Sequence, residues 1–412
     1  MAVAQTSSTG TRRRWPRVRG STLVAVAVLA IWGAIIPYSV EQYLGGDYRI
    51  LLRLGTDFPH PAALRGVPFT GETGYDGQFF AALATDPLLL RPDTPSMLDA
   101  PLYRAGRIGM PLLAWALALG SDSAAIVVYQ LLCWVLGALC AGVAARWLEH
   151  EGRSPLWAAP LAFSGGVFAS MFSSLPDAAA CTLLLAALWL HARRRAAWLP
   201  VLAFACLVKE TNYVAALAIA VAEVRERRFT RAALSVAVPV ALIAAWRLWV
   251  LSRPGFANAA LVTENFGVPF AWIPAKLGTP LDALEVVGLA GLALSFAGLA
   301  ALLPGVRRAG TVELSFIGFG LLALFLNELV YVPVWWNYSR VLLPLPALAA
   351  VAAERAEPAW RRWLLRAVAA SWSVLGILML PWWAAGLAAL VALLEALRRF
   401  AGGAESARAT RA

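Results

Sequence analysis

The chain has 412 residues, of which 60% are hydrophobic and 14% are charged, and its mean hydropathy is +0.68. Soluble domains carry about 25% charged residues, so this composition excludes an ordinary soluble domain and predicts an integral membrane protein. The formal net charge is +11. The arginines lie in short clusters between apolar runs and not on one soluble basic face, so we predict no binding to nucleic acid.

Apolar runs recur along the whole chain and set the predicted architecture. A run of about 17–25 residues crosses the hydrocarbon core of a bilayer, and short arginine clusters stay on the cytoplasmic side. Together these rules predict an all-α polytopic membrane protein of about 12 transmembrane helices. The predicted spans are 21–40, 123–146, 155–172, 178–191, 197–208, 213–224, 232–251, 284–303, 311–331, 341–353, 364–380 and 383–397.

The termini and the first loop complete this topology. Residues 1–20 form a basic cytoplasmic tail, 21–398 the membrane domain and 399–412 a cytoplasmic tail. The first apolar run ends without a signal-peptide cleavage site, so we interpret it as an uncleaved helix. Residues 41–122 form a long extracytoplasmic loop. The apolar stretch 108–120 in that loop is too short to cross, which predicts a helix on the outer membrane surface.

Polar residues collect at the predicted outer side of this topology. The first loop carries several acids, among them Asp76, while Asp177, Lys209 and Arg340 stand at the ends of later spans. Ionisable groups near a bilayer are costly and tend to mark functional sites. Acids that take a proton and cations that hold phosphate suit an anionic, lipid-linked donor and a hydroxyl acceptor.

Each of these residues also has a purely structural interpretation. Asp76 precedes an apolar stripe at helical spacing, as the N-cap of a helix over 77–86 would. Asp177 fits the cap of the next span. Lys209 and Glu210 fit charges that reach from a helix end toward water.

Four short stretches together resemble a known family. "GYDGQFFAALATDP" at 74–87 resembles the first-loop acidic motif of GT-C glycosyltransferases, which use polyprenyl-phosphate sugars, in its mannosyltransferase-like form. "GMPLLAWALALG" at 109–120 is similar to the second juxtamembrane helix of that loop. "LPDAAACTLLLAALWLHARRR" at 175–195 resembles the turn whose acid opens the fourth span, and "NYSRVLLPLPAL" at 337–348 resembles the late arginine that opens a helix. The resemblance covers the topology along most of the chain.

The resemblance implies an inverting transfer of a sugar from a polyprenyl-phosphate donor to a hydroxyl of a glycan, lipid or protein. The reaction would take place on the extracytoplasmic face of the cytoplasmic membrane. Residues carried over by motif position are Asp76 as the general base, Glu72 as a second acid, Lys209 and Arg340 as phosphate ligands, and Asp177, Tyr338 and Gln78 as further substrate contacts.

The resemblance leaves three points open. Many GT-C enzymes keep their acid nearer the first span, often as a pair, so Asp47 and Asp57 compete with Asp76 as the base. The four cysteines and three histidines show no metal spacing, but Glu72 and Asp76 offer oxygen ligands of the kind that Mg²⁺ or Ca²⁺ prefers. A transporter or lipid-linked-sugar flippase and a non-catalytic subunit of an envelope complex are the alternative functions.

Overall fold

The computed structural model describes residues 19–256 and 265–379, and these ranges are α-helical with no β-strand. This confirms the all-α class. The predicted span at 383–397, the C-terminal tail at 399–412 and all but the last two residues of the basic N-terminal tail lie outside the described residues.

The helices follow the apolar runs of the sequence closely. The first ten are α1 (Gly20–Tyr43), α2 (Gly77–Thr85), α3 (Pro101–Ala105), α4 (Gly109–Leu117), α5 (Asp122–His150), α6 (Gly165–Phe172), α7 (Asp177–Ala192), α8 (Trp198–Val208), α9 (Tyr213–Arg225) and α10 (Phe229–Leu251). They are followed by α11 (Trp272–Leu277), α12 (Ala283–Leu302), α13 (Thr311–Phe325), α14 (Glu328–Tyr331), α15 (Trp335–Val341), α16 (Pro344–Ala353) and α17 (Ala359–Leu378).

Within residues 19–256 and 265–379, four helical segments are long and apolar enough to cross a membrane: α1, α5, α10, and α12 with its continuation to Arg308. A 3₁₀ segment, Pro155–Phe163, and α6 pass the same test together, but they are bent by 50° at their junction. Four further apolar helices, α7, α8, α13 and α16, have between 10 and 17 residues. Length and composition therefore support membrane integration, and the count of about 12 spans stays a prediction.

Two predicted spans are interrupted. The span at 155–172 breaks at Ser164, whose extended backbone stops the 3₁₀ segment and whose hydroxyl accepts a hydrogen bond from the Val167 N–H at 3.4 Å. The span at 311–331 breaks after Phe325, where Asn327 caps α14 by accepting from the Leu329 N–H at 3.0 Å. Polar side chains that satisfy free backbone groups make such breaks stable within an apolar run.

The loop between α1 and α5 is packed into the protein. All nine residues of α2 are buried, so this helix is enclosed on every face. A Cβ atom on Gly77 would lie 2.3 Å from the carbonyl oxygen of Ser173, closer than any side chain tolerates. Gly74 has a φ of +64°, in the left-handed region that glycine adopts without strain. Gly77 therefore docks the start of α2 against the end of α6, and Gly74 packs against the backbone of Arg53 and Gly55. Asp76 lies between these two close contacts.

Candidate functional site

Asp76 lies directly before α2, and its carboxylate is held by two arginines. Oδ1 accepts a hydrogen bond from Nη2 of Arg104 at 2.8 Å, and Oδ2 accepts from Nη1 of Arg340 at 2.7 Å. The side chain of Asp76 is 13% exposed, and those of Arg104 and Arg340 are 8% and 12% exposed. A loop acid is thus joined to two cations that stand far from it in the sequence.

The chain of ion pairs continues from Arg340 into the bundle. Nη1 of Arg340 also lies 3.7 Å from Oδ2 of Asp177, and Oδ1 of Asp177 accepts from Nζ of Lys209 at 2.5 Å. Asp177 and Lys209 are both buried. Charges alternate along the sequence of contacts Arg104, Asp76, Arg340, Asp177 and Lys209, which we call the charge relay. Alternation is the arrangement in which each buried charge meets an opposite one, as burial requires.

The arginines keep Asp76 ionised. Burial alone would raise its pKa, but Arg104 and Arg340 outweigh that effect, so the pKa of Asp76 is held below its usual value. A group with a lowered pKa stabilises the fold above its unfolded-state pKa, and that stabilisation is lost as pH falls through the folded-state pKa. Asp76 is therefore a carboxylate throughout the physiological range.

Arg104 is the first of two site residues that the sequence analysis did not single out. It binds Asp99 through Nε at 2.8 Å and Nη2 at 2.7 Å while donating to Asp76. Its guanidinium carbon also lies 4.9 Å from the centroid of the Phe79 ring, a favourable cation–π distance. Nothing in its sequence spacing distinguishes Arg104 from the other arginines of the loop.

The structure corrects the capping interpretation of both acids. Asp76 has α-helical backbone angles and its side chain makes no cap hydrogen bond, because a capping side chain needs an extended backbone to fold back on the helix. Asp177 is the first residue of α7, with Pro176 before it at the cap position. Its carboxylate turns to Lys209 instead.

Lys209 and Glu210 differ from charges that simply reach toward water. Lys209 is 4% exposed and paired with Asp177. Glu210 accepts from Nε and Nη2 of Arg107 at 2.8 and 2.5 Å, although its side chain is 38% exposed. Burial raises the pKa of Glu210, but Arg107 overcomes this and lowers it to about 2. Both residues therefore belong to ion pairs.

Three other predicted site residues, Glu72, Gln78 and Tyr338, lie apart from the charge relay. Glu72 is exposed, and no ion pair or side-chain hydrogen bond of it occurs within 19–256 and 265–379. Gln78 is buried and uses its amide to hold the loop, accepting from the Gly55 N–H at 2.9 Å and donating to the Thr73 carbonyl at 2.7 Å.

Tyr338 points into a different cluster. Its hydroxyl donates to Oε2 of Glu285 at 3.2 Å, and Nζ of Lys276 lies 2.7 Å from the same oxygen. Tyr338 and Arg340 are two residues apart on α15, so their side chains point about 200° apart around the helix. One helix therefore cannot direct both residues into the charge relay.

The competing acids Asp47 and Asp57 are likewise placed elsewhere. Asp47 caps the 3₁₀ segment Tyr48–Leu52 and pairs with Arg49 at 2.8 Å. Asp57 is exposed, and its backbone N–H donates to the Glu72 carbonyl at 2.9 Å. Neither acid has an ion-pair contact with the charge relay in the part of the chain that is described.

A cavity of about 290 Å³ adjoins Tyr75, the neighbour of Asp76. Phe168, Phe172 and Trp336 contribute aromatic rings to its wall, and Arg53 contributes the positive charge. Tyr75 links the cavity to the charge relay, because Arg340 lies over its ring at 5.0 Å and its hydroxyl donates to Oδ1 of Asn337 at 2.5 Å.

Arg53 is the second residue that sequence analysis did not single out. Its backbone is left-handed, with a φ of +58°, and strained residues of this kind cluster at functional sites. Its Nε donates to the Phe172 carbonyl at 3.4 Å, but no carboxylate pairs with it within the described ranges. Burial lowers the pKa of Arg53, as expected for a partly buried cation without a counter-ion.

Metal binding beside Glu72 and Asp76 finds little support in these side chains. Among the described residues, no three His, Cys, Asp or Glu side chains gather in a way that would hold a metal ion. Both carboxylate oxygens of Asp76 face guanidinium groups, which repel a cation.

The described part of the chain is all-α, with helices long and apolar enough to cross a membrane, and the charge relay lies at the ends of several of its helices. Comparisons of this chain with models of known protein families, with curated protein sequences and with solved structures gave no significant match. The chemistry of the site is therefore the basis for a functional assignment.

Proposed function

We propose that the protein is a membrane glycosyltransferase of the GT-C type, which moves a sugar from a polyprenyl-phosphate donor to a hydroxyl acceptor. One observation carries the proposal: an ionised loop acid, Asp76, is joined to Arg340, Asp177 and Lys209 at helix ends. It adjoins an aromatic cavity whose arginine, Arg53, has no carboxylate partner among the described residues. Transfer from such a donor needs these parts, because a phosphate must be held while a hydroxyl attacks the sugar.

The charge balance favours Arg53 as the ligand of the donor phosphate. Lys209 is already paired with Asp177, and Arg340 with Asp76, so neither cation is free for an anion in this state. Arg53 has no carboxylate partner in the described structure and faces the cavity. Guanidinium groups bind phosphate oxygens through two parallel hydrogen bonds. The aromatic wall suits the sugar ring and the first part of an isoprenoid chain.

Arg340 connects phosphate binding to the acid. Its Nε is buried and has no hydrogen-bond partner within the described part of the chain. This N–H can therefore donate a hydrogen bond to a bound phosphate. A phosphate group held by Arg53 would attract Arg340 and free Oδ2 of Asp76 for the acceptor hydroxyl. Loss of one cationic partner also raises the basicity of the Asp76 carboxylate.

The proposed reaction is a single displacement at the anomeric carbon. The acceptor oxygen forms the new bond, the bond to the phosphate oxygen breaks, and polyprenyl phosphate leaves with both electrons of that bond. The acceptor proton passes to Asp76. The hydroxyl becomes more acidic as its bond to an oxocarbenium-like carbon forms, so a weakly basic carboxylate suffices. One displacement inverts the anomeric configuration.

The proposal includes the finer topology predicted from the sequence: about 12 spans, cytoplasmic termini and a site on the extracytoplasmic face. The ends of helices support this arrangement. Asp177 begins α7, Lys209 follows α8 directly, and Asp76 directly precedes α2. The charge relay thus lies at one end of these helices, where an enzyme of the outer leaflet would meet its lipid donor.

A transporter or flippase of lipid-linked sugars is the alternative class. The bend of 50° between Pro155–Phe163 and α6 favours it, because transporters build their sites at broken helices near the membrane centre. In this protein Ser164 lies at the break, and its hydroxyl accepts a hydrogen bond from a backbone N–H of α6. The ionisable groups lie at helix ends instead, which favours the enzyme.

A donor panel tests the proposed function. Membranes that contain the full-length protein are supplied with polyprenyl-phosphate sugars, labelled in the sugar, and with a membrane extract as acceptor. We expect label to enter the extract from at least one donor, with inversion at the anomeric carbon. Movement of intact donor between leaflets without transfer to any acceptor would favour the flippase and contradict the enzyme.

Replacing Arg53 tests the phosphate assignment. We expect Arg53→Gln to raise the KM for the donor at least about tenfold, because it removes a charge-assisted pair of hydrogen bonds. Arg65→Gln, in an exposed position of the same loop, makes the same change of charge and should leave the KM within about twofold. Equal KM values for the two variants would place the phosphate away from Arg53.

A further inference from the structure

A second cavity lies at the opposite end of the helices that carry the charge relay. α7 runs from Asp177 to Ala192, and its 16 residues span about 24 Å. α9 follows Lys209 and the 3₁₀ turn, and it ends at Arg225. Ala192 and Arg225 line this second cavity, which has a volume of about 390 Å³.

Arginines from four separate segments meet at this cavity. Arg355 pairs with Glu151, Arg228 pairs with Glu226 at 2.6 Å, and Arg231 lies 3.3 Å from Glu223. The remaining cavity arginines make no ion pair within residues 19–256 and 265–379; they are Arg194, Arg225, Arg307 and Arg308. The cavity therefore carries an excess of positive charge that the described part of the protein does not balance.

Two further polar groups lie in the wall of the cavity. Gly310 and Thr311 lie at the amino-terminal end of α13. The partial positive charge of that helix end is offset by Glu313 in the first turn of the helix. Nδ1 of His191 is buried in the same wall without a hydrogen-bond partner among the described residues, while its Nε2 is 2.7 Å from Glu223.

Membrane orientation does not explain why these arginines meet. The positive-inside rule accounts for arginines on one side of the bilayer, and dispersed arginines would satisfy it equally well. Bringing like charges to one cavity raises the free energy of the folded state. A bound anion removes that repulsion.

We infer that this arginine cavity binds a phosphate-bearing ligand. Arginine recognises phosphate through bidentate hydrogen bonds, and basic pockets between membrane helices hold the headgroups of anionic lipids. A phospholipid headgroup and a soluble phosphate compound present the same chemistry to these arginines. The site is separate from the sugar-transfer site, and it does not depend on the proposed enzyme activity.

Thermal stability of the full-length protein in neutral detergent tests this inference. Three additions are compared at constant ionic strength: phosphatidylglycerol, phosphatidylcholine with the same acyl chains, and inorganic pyrophosphate. A ligand that binds only the folded state raises the Tm. We expect phosphatidylglycerol, pyrophosphate or both to raise it at least about 3 °C above the value with phosphatidylcholine.

A pair of double variants locates the effect. Arg307→Gln/Arg308→Gln should remove at least half of the Tm rise, whereas Arg361→Gln/Arg362→Gln, the same loss of charge outside the cavity lining, should retain it. If the first pair yields too little folded protein, Arg194→Gln replaces it, because Arg194 is exposed and lines the cavity.

Each outcome supports or overturns phosphate binding at the arginine cavity. A rise with phosphatidylglycerol alone assigns a lipid headgroup, and a rise with pyrophosphate assigns a phosphate group that needs no acyl chains. No rise with either ligand overturns the inference. An equal loss of the rise in both double variants also overturns it, since a general effect of charge would then explain the binding.

Discussion

Asp76→Asn should lower sugar transfer by at least about 1,000-fold while the protein still folds. The change removes the carboxylate charge that receives the acceptor proton, and general bases contribute about 100- to 10,000-fold to such rates. Folding survives because each arginine retains another acid: Arg104 binds Asp99, and Arg340 lies 3.7 Å from Asp177. Initial rates of transfer and the yield of monodisperse protein measure the two effects.

Asp99→Asn is the matched control for this experiment. Asp99 contacts the same guanidinium of Arg104 as Asp76 does, but its side chain is 33% exposed and it has no contact with Arg340 within the described ranges. We expect its transfer rate to stay within about threefold of the wild type. Full activity of Asp76→Asn, or equal losses in the two variants, would remove Asp76 from the role of base.

Lys209→Met should lower the free energy of unfolding by about 3–5 kcal/mol, because it leaves the buried carboxylate of Asp177 without its nearest cation. Nζ of Lys209 lies 2.5 Å from Asp177, whose side chain is 4% exposed. Arg340 remains, at 3.7 Å, but it already serves Asp76. Thermal unfolding of the protein in nanodiscs measures the change.

The double variant Lys209→Met/Asp177→Asn should recover most of that loss, since replacing both members of a buried ion pair is often nearly neutral. Arg65→Met provides the exposed control and should change the stability by no more than about 0.5 kcal/mol. If Lys209→Met unfolds like the wild type, or if the double variant is less stable than the single one, Lys209 and Asp177 do not form the buried pair described above.

Several features of the molecule follow from local sequence. Apolar runs predicted where most helices begin and end, because hydrophobicity over a run is a local property. The span at 123–146 corresponds to α5, and the span at 178–191 to α7. The sequence also predicted that Asp76, Asp177, Lys209 and Arg340 lie on one side. The side of the membrane on which they lie stays a prediction, and the structure brings all four side chains together.

Other features depend on contacts between distant segments. The predicted spans at 155–172 and 311–331 are interrupted by Ser164 and Asn327, since one capping side chain outweighs the apolar average of a run. Tyr338 and Arg340 are only two residues apart in the sequence, yet their positions around α15 direct them to different clusters. The rotation of a short helix about its own axis is set by its packing against neighbouring segments. A span predicted from hydrophobicity carries no information about that packing.

By itself, the sequence determined that this is an all-α membrane protein and that an acidic first loop accompanies charged helix ends. Only the tertiary structure decided which charges meet. The close approach of Gly77 to Ser173 places Asp76 between Arg104 and Arg340. The same packing leaves Arg53 beside the aromatic cavity, with no carboxylate partner in the described part of the chain. Hydrophobicity acts over a continuous run and can be read from it, whereas an ion pair requires two side chains within about 4 Å. That distance is set by the fold of the whole chain.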